Sequence, residues 1–217
     1  MVLLRHGLLG RGGFGAVELV EDTRTGNTFA LKALSKGDVV ANRMQSRVIN
    51  EKNLQLMCDS PFIVKLHKTY TSPQHVYFLL ELALGGQLYA TYNYCDLWRD
   101  EACGKFYVAG AALALEHLHG KQIIFRDLKP ENLVLTAEGR AKLVDFGCAK
   151  RLLAGKAYST FGTPDYCAPE LVDGSGHTHA VDWWALGILA FELMSGQAPF
   201  ASDTVLETYA KVMSGID

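Results

Sequence analysis

In the run Phe125-Arg126-Asp127-Leu128-Lys129-Pro130-Glu131-Asn132, a carboxylate is followed by an ammonium two residues on and a carboxamide five residues on. A second carboxylate comes in Asp145-Phe146-Gly147. Four groups of these types combine a base, a cation and two oxygen ligands for hard cations, a complement that suits transfer of an anionic group. Asp127 can accept the proton of an attacking hydroxyl, and Lys129 can neutralise the moving phosphoryl group. Asn132 and Asp145 offer oxygens to hard cations.

The elements that must position these groups are legible as patterns. Residues 100–120 are too long a segment, and too apolar over 106–115, to be a strand, so they read as a buried helix feeding the loop. Gly120 stands where that helix should stop. Leu133-Val134-Leu135 and Lys142-Leu143-Val144 flank a turn at Glu138-Gly139, a small hairpin that presents Asp145 at its end. Asp182 opens an apolar helix over 182–194, and 204–214 reads as another. The pair Trp183-Trp184 reads as plain core.

Upstream, Gly10-Arg11-Gly12-Gly13-Phe14-Gly15-Ala16-Val17 lies between strand-like runs at 2–9 and 17–20. Glycines there let backbone N–H groups approach phosphate oxygens with no Cβ in the way. The second run is β-like and ends in a turn at 22–27, so a hairpin is expected rather than the strand–helix unit of dinucleotide-binding folds. Strand-like segments dominate before Leu84-Gly85-Gly86 and helical ones after it, which divides the chain into lobes at 1–83 and 84–217 joined by a short hinge.

Composition narrows the setting. The chain has 217 residues, 49% of them hydrophobic, enough for a substantial core. A net charge of −2 supplies no cationic field for nucleic acid, and no apolar run is long enough for a membrane span. The N-terminus lacks the features of a secretory signal. Five cysteines, odd in number and without a Cys-x-x-Cys pair, argue for a reducing compartment rather than disulfides or zinc. A cytoplasmic protein is expected. His117-Leu118-His119 and His177-Thr178-His179 lack metal-ligand partners at suitable spacing. Cys148, directly after Asp145-Phe146-Gly147, reads as an inert small core residue rather than a redox or covalent handle.

Taken together, the glycine run, Phe29-Ala30-Leu31-Lys32, Glu51, the Asp127 loop, Asp145-Phe146-Gly147 and Ala168-Pro169-Glu170 resemble the eukaryotic serine/threonine protein kinases. The likeness is strongest to the group typified by the cAMP- and cGMP-dependent enzymes, and the segments 59–64 and 142–150 lean toward the cGMP-dependent ones. It implies an α+β, two-lobed fold: a small antiparallel β lobe with one helix, over 44–57, and a larger, mainly helical lobe. It implies ATP and Mg2+ as cofactors. Lys32 would touch the nucleotide phosphates and pair with Glu51. Gly10, Gly12, Gly13, Phe14, Gly15 and Val17 would cover the nucleotide, with Ala30 above the adenine and Val134 below it. Leu80 would guard the pocket, and the backbone from Glu81 to Ala83 would pair with the adenine edge. Gln87, counted with these residues, stands where the family carries a glutamate.

The same resemblance implies protein substrates presenting serine or threonine. Thr163 would contact both base and lysine, and Asp182 would anchor the catalytic loop. Ser159, or failing that Thr160, would carry an activating phosphate gripped by Arg126, Lys150 and Arg47. Glu131 and Glu192 would face basic substrate residues, with Gln87 weakening that preference. No cyclic-nucleotide-binding module lies in the chain, so such a regulatory domain would lie outside it.

Two departures stand out. Gln55 occupies a position where the family packs an aliphatic residue under Phe146, and a buried unpaired amide would cost a few kcal/mol. A helix shift presenting Leu54 or Leu56 is the alternative. No arginine follows Arg151 to pair with Glu170, so a C-terminally truncated domain with a buried, unpaired carboxylate is expected. The rival function is a pseudokinase, a nucleotide-binding or scaffolding module without transfer. A small-molecule phosphotransferase is a weaker third.

Overall fold

The computed structural model describes residues 2–12, 15–159 and 162–215; Gly13, Phe14 and Thr160 therefore lie outside the described residues. Strands β1 (Leu3–Gly12), β2 (Gly15–Asp22), β3 (Thr28–Ser35), β4 (Leu66–Thr71) and β5 (His75–Leu80) form one antiparallel sheet in the order β1-β2-β3-β5-β4. The first two strands run beyond their apolar stretches because pairing continues through the glycines, Gly10 opposite Val17 and Gly12 opposite Gly15. A Cβ on Gly15 would sit 1.7 Å from the carbonyl oxygen of Ala33. Glycine is thus required there by the neighbouring strand, whatever its value to a ligand.

Register fixes which side chains face together. Val17 opposes Lys32 and Lys32 opposes Phe78, while Ala30 opposes Leu80. Directly paired residues and their i±2 neighbours share a face, so Val17, Ala30, Lys32 and Leu80 are on one side of the sheet.

Two helices follow β3 where one was expected. The short α1 (Lys36–Ala41) is capped by Ser35, whose Oγ accepts the amide of Asp38 at 3.2 Å, and it buries only Val39. One buried residue leaves no periodic stripe to read. α2 (Gln45–Leu56) carries Glu51. Gln55 is 4% exposed, yet its Nε2 donates to the carbonyl of Val64 at 3.0 Å. The expected unpaired amide is therefore paired. Leu54 lies in the core cluster with Phe146 while Leu56 is exposed, so the helix makes room for both.

Leu84-Gly85-Gly86 is more ordered than a linker. The amide of Gly85 donates to Leu135 and that of Leu135 to Gly86, both at 2.8 Å, and Gly86 takes a φ of +76°. The segment clamps β7 (Leu133–Leu135), which pairs with β8 (Ala141–Leu143), while β6 (Ile123–Ile124) pairs with β9 (Lys150–Arg151).

The remainder is helical: α3 (Leu88–Cys95), α4 (Glu101–Gly120), α5 (Pro169–Val172), α6 (Ala180–Ser195) and α7 (Val205–Ser214). Asp100 starts α4, its carboxylate accepting the amide of Cys103 at 2.8 Å. Leu115 and Leu118 of α4 meet Leu189 and Leu193 of α6 in one core that also holds Leu128, Leu143 and Phe146. Each such buried leucine contributes about 1.5–3 kcal/mol. The tryptophan pair divides, contrary to expectation: Trp184 stacks on Phe200, whereas Trp183 is 45% exposed. Glu170 is half-buried rather than buried and has no ion pair among the described residues, so the expected burial penalty does not arise in full. Among the described residues no helix is long and apolar enough to cross a membrane.

Candidate active site

The loop carrying Asp127 is held from below by Asp182. That carboxylate is fully buried and accepts the amides of Phe125 at 2.9 Å and Arg126 at 2.7 Å, with His119 Nε2 at 2.8 Å. Arg126 is pinned at a φ of +69°, a conformation a non-glycine residue keeps only when its surroundings fix it.

Each oxygen of Asp127 is then spoken for. Its Oδ1 accepts from the hydroxyl of Thr163 at 3.1 Å and its Oδ2 from Nδ2 of Asn132 at 2.9 Å. Lys129 Nζ donates to the same threonine hydroxyl at 2.7 Å and lies 3.4 Å from Asp127 Oδ2. An ammonium has no acceptor, so Thr163 must accept from Lys129 and spend its one proton on Asp127. Asn132 also donates to the backbone carbonyl of Asp127 at 2.8 Å. Both of these bonds use the nitrogen, which leaves Oδ1 for a cation.

Asp145 arrives from the other hairpin. The amide of Val144 donates to the carbonyl of Asn132 at 2.9 Å, tying the end of β8 to the loop. Asp145 adopts a φ of +66°, with Oδ1 accepting the amide of Gly147 at 3.1 Å. Lys32 Nζ meets Glu51 Oε1 at 2.7 Å, with only 24% and 9% of the two side chains exposed. Burial works against the lysine's charge, but Glu51 and then Asp145 outweigh it and hold its pKa above the ordinary value. Lys32 is therefore a fixed cation.

Gly15, Val17, Lys32, Glu51, Asp127 and Asp145 line one cavity of about 300 Å3. Ala30, Leu80, Glu81, Ala83, Gln87 and Val134 are not in its described lining. Ala30 and Leu80 share its sheet face, and Gln87 bridges Val134 across the clamp. Glu81 is turned aside, its carboxylate accepting the amide of Lys65 at 3.1 Å and meeting Lys142 Nζ at 2.8 Å. Cys148 reaches the cavity wall. Burial first, then Asp127 and Asp145, push its thiol up, which keeps it unreactive.

Among the described residues no three histidine, cysteine or acidic side chains gather as a metal cage. A free amide oxygen at Asn132 and a carboxylate at Asp145 fit magnesium, which takes one or two protein oxygens and fills its shell with phosphates and water.

The segment before Glu170 meets the loop through Arg126, whose Nη1 donates to Ser159 Oγ at 2.8 Å and whose Nε donates to the carbonyl of Cys148 at 2.7 Å. Lys150 is half-buried on β9 and Arg47 is exposed on α2. Arg47 adds its positive field at Arg126. Glu192 accepts the hydroxyl of Tyr166, and burial, then Glu131 and Asp165, push its carboxyl up to about 7.

Three histidines matter in ways the sequence did not reveal. His119 supports Asp182, His177 lies against Arg126, and Nε2 of His117 accepts the amide of Asp59 at 3.2 Å. Each partner is at least fifty residues distant, so no local pattern marks them.

Comparison with known proteins gives the family. The chain is 45% identical over 215 residues to the cGMP-dependent protein kinase egl-4 of Caenorhabditis elegans, covering 98% of this chain and 27% of that protein. It is 45% identical over 210 residues to cGMP-dependent protein kinase 2 of Homo sapiens, covering 96% and 27% respectively. It is 41% identical over 212 residues to cGMP-dependent protein kinase, isozyme 1, of Drosophila melanogaster, covering 96% and 28%. The chain thus spans about a quarter of the length of these relatives. Residues 4–216 match the protein kinase domain, and the chain belongs to that family.

Proposed function

We propose that this chain transfers the γ-phosphoryl group of ATP, with Mg2+, to serine and threonine hydroxyls lying near basic residues of protein substrates. It would act as the catalytic domain of a kinase of the cyclic-nucleotide-dependent type. The observation that carries this reading is the connected set Lys129, Thr163, Asp127 and Asn132.

Asp127 accepts the substrate hydroxyl proton, held in aim by one hydrogen bond to each oxygen. Lys129 neutralises the charge of the group in transit, and Thr163 fixes base and lysine relative to one another. Bound magnesium supplies charge neutralisation at the phosphates; Asn132 and Asp145 would hold it, and Lys32, set by Glu51, would hold the α and β phosphates. Gly10, Gly12, Val17, Ala30, Leu80, Val134 and the backbone of Glu81 to Ala83 would enclose the rest of the nucleotide. Glu131 and Glu192 attract basic substrate residues, and an uncharged Gln87 relaxes that demand.

Residues 1–83 and 84–217 are the two lobes on this reading, and five free cysteines suit the cytoplasm. A cyclic-nucleotide-binding regulatory domain would lie outside the chain. Phosphorylation at Ser159, with Thr160 as the second choice, would order the segment around Arg126, Lys150 and Arg47. A pseudokinase would need a broken catalytic set, and the closed Lys32–Glu51 pair speaks against one.

A peptide array with labelled ATP tests the reading. Serine peptides flanked by arginine or lysine should be preferred, and Asp127→Asn should lower transfer at least about a hundredfold. An array without basic preference would sink the substrate claim. An undiminished Asp127→Asn variant would sink the transfer claim.

A further inference from the structure

One buried imidazole takes no part in the chemistry above. His177 is 2% exposed, and its backbone pairs in both directions with Ala157, at 2.9 and 2.8 Å. Ala157 stands two residues before Ser159. The Nε2 of His177 lies 3.4 Å from Nη1 of Arg126, the same nitrogen that donates to Ser159 Oγ at 2.8 Å. A guanidinium only donates, so Nε2 is the accepting, unprotonated nitrogen and the ring is neutral.

Charged groups act on the ring from three elements. Burial first, then Arg126 from the catalytic loop and Lys150 from β9, hold its pKa below the ordinary histidine value, against the pull of Asp182 from α6. Lys156 spends its Nζ on the carbonyl of Ser175 at 3.3 Å. Asp182 spends its carboxylate on two amides and His119. Arg126 at the serine hydroxyl, with Lys150 acting on the same imidazole, suits an anion better than the hydroxyl.

We propose that His177 is a direct ligand of a phosphate on Ser159, gripping it as an imidazolium beside Arg126. This rests on the reading of Ser159 as the modified residue. In that modification the Ser159 Oγ–P bond forms as the β–γ phosphoanhydride bond of ATP breaks. ADP leaves with the bonding electrons, and the hydroxyl proton passes to the catalytic carboxylate of the modifying kinase. The arriving charge, about −1.5 to −2 at neutral pH, opposes the field of Arg126 and Lys150 at the ring. Arg126 then donates to phosphate oxygens, and Nε2, relieved of that contact, takes a proton and donates in turn. Because His177 also pairs with Ala157, phosphate and proton together fasten the segment at the modified serine and two residues before it.

The test uses the full chain with serine or with phosphoserine installed at position 159 during translation. Histidine ring signals are titrated by NMR, with His177 assigned by its loss in His177→Asn. Phosphorylation should raise the His177 midpoint by about one pH unit, a tenfold change in its protonation equilibrium. The phosphorus signal of the phosphoserine should show a second inflection at the same pH. That reading needs no variant, so it stands even where His177→Asn fails to fold. An unmoved or lowered His177 midpoint overturns the assignment. Mass mapping of Ser159 and Thr160 in protein from its own cells tests the modification separately. A shifted His177 with Ser159 found unmodified would sink the switch and leave the ligand assignment standing.

Discussion

Replacing Asp182 by asparagine should loosen the catalytic loop from beneath. The side chain is fully buried and accepts three hydrogen bonds, from Phe125 at 2.9 Å, Arg126 at 2.7 Å and His119 at 2.8 Å. Asparagine has the same shape, but one acceptor oxygen becomes a donor and must face an N–H. Losing a bond to a charged acceptor costs about 1.5–3 kcal/mol, and stranding a buried amide costs about 1–3 kcal/mol. These figures describe one lost bond from two sides, so the expected loss is about 2–3 kcal/mol. Part of it is returned when Arg126 leaves its φ of +69°, and that same relaxation displaces Asp127. Stability therefore falls moderately while transfer falls steeply. Urea unfolding should show a lower midpoint at unchanged slope, and the melting temperature should drop by about 4–12 °C. A change below about 0.5 kcal/mol with full transfer would refute the claim that Asp182 holds the loop.

Lys32→Met should leave Glu51 buried without its cation and abolish nucleotide-dependent transfer; a calorimetric ATP titration with unaltered affinity would count against the lysine's role. Glu192 carries a pH prediction. Its folded pKa is raised to about 7, so its stabilising contribution is present below the ordinary glutamate value and is lost as pH rises from there through about 7. Glu192→Gln should match the parent near pH 4 and exceed its stability by about 1–2 kcal/mol at pH 8; a difference independent of pH would contradict this. Gly15→Ala places a methyl 1.7 Å from the Ala33 oxygen, so the sheet must open. It should lower the melting temperature by several degrees, and an unchanged melt would show that the strands can part freely.

The candidate set was legible because its members are close in sequence and each type has a chemical reason to be there. Asp127, Lys129 and Asn132 fall within six residues, and the hairpin that delivers Asp145 follows at once. The long helix before them announced itself by length and apolar content. What could not be read depends on contacts between distant segments. Gln55 looked like a defect until the Val64 carbonyl accounted for its amide. Leu84-Gly85-Gly86 looked like slack and proved to be paired with β7, a pairing that glycine permits but does not advertise. His119 meets Asp182 across sixty-three residues. The residues expected to face adenine were named by likeness, and their register puts only some of them beside Lys32.

The most direct measurement is incorporation of γ-phosphate into a basic serine peptide by this chain and by its Asp145→Asn variant. The account predicts transfer by the parent and a fall of at least about a hundredfold in the variant, since a carboxylate that held the metal would contribute several kcal/mol to the transition state. Equal signals from the two proteins would contradict it.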